Sequence, residues 1–216
     1  PLRLVGSEMC IRDRLITACA DENHYSEIKT DNSGFSYESV NNDPTALRLY
    51  TLENGLTVYL SKNTDEPKIQ TYIAIRAGSN YDPKESTGLA HYLEHMVFKG
   101  TSKIGTINWE KEKEYLDKIT SLYERHRSEA DPLKKLKLYK EIDAVSLEAS
   151  NYSVANEYDK MMSSLGATGT NAHTWFEETV YKNKIPANEL TKWLNLETER
   201  FSDCLLYTSP SPRDVE

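Results

Sequence analysis

Cysteine is scarce in this chain: three in 216 residues, at Cys10, Cys19 and Cys204. Cys10 and Cys204 fall in the two end segments that break with the rest of the chain, and the one cysteine left, Cys19, makes no disulfide framework. Long apolar runs are missing as well. No stretch of about 18 apolar residues occurs, so the sequence contains no candidate membrane-spanning helix. Positive charge is in short supply, with 26 Lys and Arg against 34 Asp and Glu and a net charge of −8. That balance, without a basic stripe, argues against nucleic acid as a partner. No segment repeats at a fixed period. What remains, 38% hydrophobic and 28% charged residues, suits a single globular domain or part of a larger one.

The most informative stretch that is present is His91-Tyr92-Leu93-Glu94-His95, an H-x-x-E-H pattern that inverts the usual zinc-peptidase order. On a helix, residues four apart share a face, so both imidazoles can reach one metal ion. Glu94 falls on the same side, placed to take a proton from a water held by that metal. Leu89, Leu93, Met96 and Val97 gather on the other side, which predicts one face for chemistry and one for packing. Thr87 is the expected N-cap and Gly100 the expected stop.

The two ends break with the pattern between them. PLRLVGSEMCIRDR and CLLYTSPSPRDVE resemble translated sequencing-adapter sequence. Residues 1–14 and 204–216 are therefore expected to be non-native and to take no place in the core. Leu15-Ile16-Thr17-Ala18-Cys19 looks like the end of a bacterial lipoprotein signal, with Cys19 as the lipidated residue. The polar stretch after it, to Asp43, suits a flexible tether. The expected division is thus 15–45 for a truncated signal and tether, and 46–203 for the folded domain.

Within that domain, period-2 alternation predicts strands at Leu47–Tyr50 and Leu56–Leu60, joined at Asn54-Gly55. A third strand is predicted from Ile69 to Ala77. After the metal-motif helix come two charged helices, Trp109 to Glu129 and Asp131 to about Ala149, read as an exposed helical hairpin. A helix at Val154–Leu165, strands at Thr168–Thr174 and Thr179–Lys184, and a helix at Ala187–Phe201 follow. Leu190, Trp193, Leu194 and Phe201 are expected inward on that last helix. The order indicates an α+β fold.

These motifs together resemble the pitrilysin/insulinase family of zinc metallopeptidases. Asn54-Gly55-Leu56-Thr57-Val58 is similar to the family's opening hairpin. Ala77-Gly78-Ser79 and Thr87-Gly88-Leu89-Ala90 precede the metal motif as in the family, and Met96-Val97-Phe98-Lys99-Gly100-Thr101 follows it. Gly169-Thr170-Asn171-Ala172-His173-Thr174, then Glu178-Thr179-Val180-Tyr181, resemble its N-A-[YF]-T strand and the partner strand.

The resemblance implies a partial N-terminal domain of that fold, a mixed or antiparallel sheet packed by helices, with residues 109–149 as an inserted helical hairpin. It implies zinc (Zn²⁺) as cofactor, His91 and His95 as ligands and Glu94 as catalytic base. Asn171, Ala172, His173 and Thr174 would bind extended peptide substrate by backbone pairing. His173 stands where the family has Tyr or Phe, and is expected to line the cleft as an aromatic substitute. A third ligand, a glutamate on a later helix with another seven residues before it, has no match in the right place. The pair Glu141 and Glu148 has the spacing but precedes the strand, and is read as a solvent face. Glu177 follows the strand too closely. The third ligand is expected beyond Asp203. The implied protein is a zinc endopeptidase of the bacterial envelope, on the periplasmic side and lipid-anchored through Cys19. Its other partner would be the second half of its own chain or a homologous subunit. The alternative is a non-catalytic peptide-binding or scaffold subunit.

Overall fold

The structure, a computed structural model, describes residues 26–204. These form two compact units that meet between Glu66 and Pro67.

The first unit is a four-stranded antiparallel meander, in the order β1 (Ser26–Thr30), β2 (Ser36–Val40), β3 (Arg48–Thr51) and β4 (Thr57–Leu60). The Asn54-Gly55 hairpin is where the alternation puts it, with Arg48 opposite Leu60 and Thr51 opposite Thr57. Gly55 turns at φ 85°, a conformation that side chains disfavour.

Two corrections follow from β1 and β2. The stretch to Asp43 is predicted to be a flexible tether, yet residues 26–40 form a hairpin that pairs onto β3. Its turn is made by Asp31, whose carboxylate accepts from the Ser33 and Phe35 amides, both at 2.9 Å. Tyr37 packs on Tyr50 with ring centroids 5.3 Å apart, and the Arg48 guanidinium lies over Tyr37. The strands are polar because they bury little of either face, so composition conceals the pairing. For the same reason the boundary expected at 45/46 is not where the chain divides. Residues 1–25 and 205–216, which include Cys19 and most of both suspected non-native ends, lie outside the described residues.

The second unit is built on a three-stranded antiparallel sheet, β5 (Lys68–Ile75), β7 (Thr179–Pro186) and β6 (Thr168–Thr174), in that spatial order. Register places Ile69 opposite Ile185, Thr71 opposite Asn183 and Ile73 opposite Tyr181, so these side chains share one face. Helices α1 (Leu89–Met96), α4 (Glu157–Ser164) and α5 (Leu190–Ser202) supply what packs with them. Ile104, Tyr158, Met162, Ile185 and Trp193 make one buried cluster; Val97, Tyr181 and Cys204 make another. The architecture is α+β, as expected, with both sheets antiparallel.

Cys204 is a further correction. It is 1% exposed, bridges Thr101 and packs with Val97 and Tyr181. The expectation that nothing from 204 onward enters the core fails at that residue, whose small apolar side chain fills the space beside the two larger ones.

Helices α2 (Trp109–Ser128) and α3 (Pro132–Ser150) form the predicted hairpin around their own core of Ile119, Leu122, Leu138, Ile142, Val145 and Ala149. Asn108 caps α2 through the Lys111 amide, and Asp131 caps α3 through the Leu133 amide, with Pro132 at the first helical position. The hairpin leaves and rejoins the unit at one point. There Ile107 donates to the Tyr152 carbonyl at 2.7 Å and Val154 to the Gly105 carbonyl at 2.8 Å. Glu141 and Glu148 are exposed on α3, as expected of a solvent face.

Glu112, in the first turn of α2, is only 7% exposed, and its Oε2 has no hydrogen-bond partner among the described residues. Desolvation pushes its carboxyl above the usual carboxylate range, partly opposed by a hydrogen bond from Thr106. A raised acid binds its proton more tightly in the folded state. Its contribution to stability is therefore present below the unfolded pKa and lost as pH rises through the folded one. Glu112→Gln is accordingly expected to raise the melting temperature at pH 7 and to change it little below about pH 4. Thermal melts at the two pH values check this; a lower melting temperature at pH 7 would contradict it.

Candidate metal centre

The centre is built on α1, a helix of two turns. Its start is not capped by Thr87 as predicted. Gly88 takes the cap position at φ 89° and provides no side chain. Asp82, in the preceding loop, accepts from the Gly88 amide at 2.7 Å and the Ala90 amide at 2.8 Å. One carboxylate thus satisfies two of the amides that a helix start leaves open, with favourable sign against the helix dipole. Asp82→Ala is expected to cost about 0.5–2 kcal/mol, read from chemical denaturation midpoints; no change would mean that water serves the amides equally well. The helix ends at Met96 and the chain turns away by Gly100, where a Cβ would sit 2.3 Å from the Ile104 carbonyl oxygen.

His91 and His95 lie one turn apart on one face of α1, with their rings edge to face. Their Nε2 atoms are 3.0 Å apart and their ring centroids 4.7 Å apart. Two imidazole nitrogens that share a tetrahedral zinc at about 2.0–2.1 Å would lie about 3.3 Å apart. The observed separation is within a few tenths of that value, so the pair fits a zinc ion. Among the described residues, no set of three or more His, Cys, Asp or Glu side chains is grouped to hold a metal. Glu177 is exposed in the turn after β6 and is not part of such a set.

The helix faces differ from the simple expectation. Met96 and Val97 are buried at 6%, but Leu89 and Leu93 are 38% and 39% exposed, and Glu94 is buried at 8%. Glu94 is buried because β6 packs against α1 and provides a partner. The Thr174 hydroxyl donates to Glu94 Oε2 at 2.6 Å. The Thr174 and Thr179 hydroxyls are 3.1 Å apart, and Thr179 also reaches the Ala77 carbonyl at 2.9 Å. A carboxylate only accepts. Thr174 must therefore spend its one proton on Glu94, leaving Thr179 to donate to Thr174 or to Ala77. The carboxylate is tied through two hydroxyls to the sheet.

The four predicted substrate residues divide between the faces of β6. Ala172 and Thr174 are half-buried on the side of α1, whereas Asn171 and His173 are exposed on the opposite face. The His173 ring lies 3.8 Å from Glu178, and strand alternation turns it away from Glu94. Trp175 donates to the Glu178 carbonyl at 2.8 Å and Thr174 lies opposite Thr179. Alternation of bonded and non-bonded pairs then turns the backbone groups of Ala172 and Thr174 outward. Among the described residues nothing pairs with that outer edge of β6. The arrangement offers two imidazoles for a metal, a fixed carboxylate on the residue that precedes His95, and an open strand edge on β6. The partners of Glu94 could not be read from spacing, since Thr174 is 80 residues away in sequence.

Residues 57–119 match the family model described as Insulinase (Peptidase family M16). The probable zinc protease PqqL of Haemophilus influenzae is 46% identical over 54 residues, 24% of this chain and 6% of that protein. The probable mitochondrial-processing peptidase subunit beta of Arabidopsis thaliana is 43% identical over 56 residues, 26% of this chain and 10% of that protein. The aligned segment thus spans a tenth or less of these two curated relatives. The crystal structure of the first half of the periplasmic protease PqqL from Escherichia coli aligns with a TM-score of 0.49 at 18% identity, over 77% of this chain and 26% of that one.

Proposed function

We propose that the chain, whose residues 57–119 match the insulinase (Peptidase family M16) model, is part of a zinc-dependent endopeptidase that cuts peptides or unfolded segments. The observation that carries this reading is the pair of Nε2 atoms 3.0 Å apart beside a buried Glu94 held by Thr174. His91 and His95 would hold the metal through those nitrogens. When bound, zinc lowers the pKa of a coordinated water towards 7 and so makes a nucleophile available at neutral pH.

Glu94 takes up the proton given off by the attacking water and returns it to the leaving amine. Its hydrogen bond to Thr174 fixes where that carboxylate stands before the reaction begins, which is the condition for efficient proton transfer. The open edge of β6 holds the substrate by its backbone, through the outward groups of Ala172 and Thr174, and so accepts many sequences. The side chains of Asn171 and His173 contribute from the far face.

In this reading a carboxylate that follows Asp203 in the longer protein, and is absent from these 216 residues, completes the metal set. Two neutral imidazoles hold zinc less well than a set with a carboxylate added, so the 216-residue chain is expected to bind zinc weakly and to cut nothing. A further half of the same chain, or a homologous subunit, closes the site over the peptide. The Leu15–Cys19 run supports a lipid anchor at Cys19 and a place on the periplasmic side of a bacterial envelope; it lies outside the described residues. The non-catalytic alternative is less favoured because His91, Glu94 and His95 are all retained.

The test is the reading frame extended on both sides, purified with zinc and offered a broad library of unstructured peptides. Cleavage that is lost on chelation and restored by zinc is expected. Zinc held at His91 and His95 without any cleavage would leave the peptide-binding subunit as the better account.

A further inference from the structure

The turn between β6 and β7 begins one residue after Thr174 and carries two large aromatic side chains. Trp175 is 65% exposed and Phe176 56% exposed, with ring centroids 5.2 Å apart in an edge-to-face pair. Exposed aromatics on a loose loop would be unremarkable. This turn is not loose. Ser79 donates to the Trp175 carbonyl and Asn80 to the Phe176 carbonyl, both at 2.9 Å, while the Trp175 amide is spent on Glu178. The approach is so close that a Cβ on Gly78 would meet the Trp175 carbonyl oxygen at 2.3 Å. Tyr81, 58% exposed, ends the same short 3₁₀ turn, Ser79–Tyr81, that clasps the tip. The backbone is fixed while the rings are offered to solvent.

We propose that Trp175 and Phe176 are a docking site for a large apolar side chain of the peptide that lies along β6, and that they set the specificity of the site. The proposal rests on the peptide-binding reading above and names the substrate class for it: extended segments with a bulky aliphatic or aromatic residue near the bond presented to Glu94. A peptide paired with the outward groups of Ala172 and Thr174 advances about 3.3 Å per residue. Its next one or two residues therefore lie over the tip. Thr174, the residue before Trp175, itself holds Glu94, so the tip directly continues the strand that carries the proposed chemistry. Backbone pairing alone does not distinguish side chains; the two rings supply the selection. Rigid aromatic anchors lose little entropy on binding, which is why Trp is prominent among residues that carry binding energy.

The test uses the intact 216-residue chain without metal and follows the three tryptophan indole N–H signals by NMR, that of Trp175 being identified by its loss in Trp175→Phe. Ten-residue unstructured peptides of Ser, Thr and Asn are titrated in, each with a single Leu or Phe placed at successive positions. Peptides with the apolar residue at one or two particular positions are expected to shift the Trp175 signal and to bind about 5–30-fold more tightly than the all-polar peptide. The Trp193 signal, from a side chain 6% exposed, should stay in place. Trp175→Ala and Phe176→Ala should each remove the preference and leave the affinity for the all-polar peptide unchanged. Their melting temperatures should match the parent chain, since both rings are exposed. Equal binding of all peptides, untouched by either substitution, would overturn the proposal and leave the peptide-binding reading intact. If no peptide binds at millimolar concentration, that reading fails and the proposal with it. A Trp175 response to phosphatidylglycerol vesicles, and none to peptides, would overturn it in favour of a lipid surface.

Discussion

Glu94→Gln in the extended protein is expected to lower peptide turnover by about 10²–10⁴ or more, the usual cost of losing a general base, while zinc stays bound. Gln is nearly the same size as Glu and can still accept the Thr174 hydroxyl, the 2.6 Å contact that fixes the side chain. It cannot take a proton from water. The defect should therefore fall on kcat, with KM and metal content little changed. His91→Ala and His95→Ala should behave differently and lose metal and activity together, because each removes one of the two nitrogens that lie 3.0 Å apart. Turnover retained in Glu94→Gln would move the proton-accepting role to another group.

The second large effect is on stability and lies in the core where α4, α5 and β7 meet. Arg200 on α5 is 2% exposed and pairs with Glu197, itself 4% exposed, through Nε at 3.1 Å and through Nη2. Tyr158 on α4 donates to the other Glu197 oxygen at 2.7 Å. Burial raises the Tyr158 phenol far above its ordinary range, so it remains a donor. Four rings, Phe98, Tyr158, Tyr181 and Phe201, surround the guanidinium at 4.4–5.0 Å. One side chain therefore ties α4, α5, β7 and the segment after α1 together.

Removing one member of a buried pair leaves the other charge uncompensated, at a cost of about 3–5 kcal/mol. Since a domain has only about 5–15 kcal/mol of net stability, Arg200→Ala should be largely unfolded at 37 °C or fail to accumulate. The double replacement Glu197→Leu, Arg200→Met should be less damaging than the two single changes added together, because no charge is stranded. Urea denaturation of the single and double variants checks this. An Arg200→Ala chain within about 1 kcal/mol of the parent would mean that the pair is solvated rather than buried.

That pair also marks the limit of what the sequence discloses. Periodicity locates the helices and strands from Arg48 to Ser202 to within a few residues, because apolar spacing follows the backbone repeat. It does not locate the true inner faces of the short helices. Leu190 and Leu194 are predicted inward on α5 but are 36% and 48% exposed, while Glu197 and Arg200 are buried. The same inversion occurs on α1, where Leu89 and Leu93 face out and Glu94 faces in. Glu197 and Glu94 enter the core because partners wait there. Those partners, Tyr158 for Glu197 and Thr174 for Glu94, come from distant parts of the chain. The β1–β2 hairpin is hidden in the sequence for the opposite reason: it buries too little for its alternation to stand out from a polar tail.

At the candidate centre, the pairing of His91 with His95 was legible because a four-residue spacing fixes a shared helix face. The hold of Thr174 on Glu94, the cap from Asp82 and the aromatic tip at Trp175 were not, since each depends on how β6 and the preceding loop close on α1. His173 shows the reverse case. A motif placed it in the cleft, and strand alternation turned its ring to the other face.

The central claim is that the α1 face is a metal site. Its most direct test is NMR of the imidazole ring nitrogens during titration of the 216-residue chain with zinc. The chain has five histidines. The account predicts that the Nε2 signals of His91 and His95 move together, saturate at one zinc per chain with weak affinity, and that both responses vanish in His91→Ala and in His95→Ala. A response centred on His24, His126 or His173, or none at either α1 histidine at millimolar zinc, would contradict it.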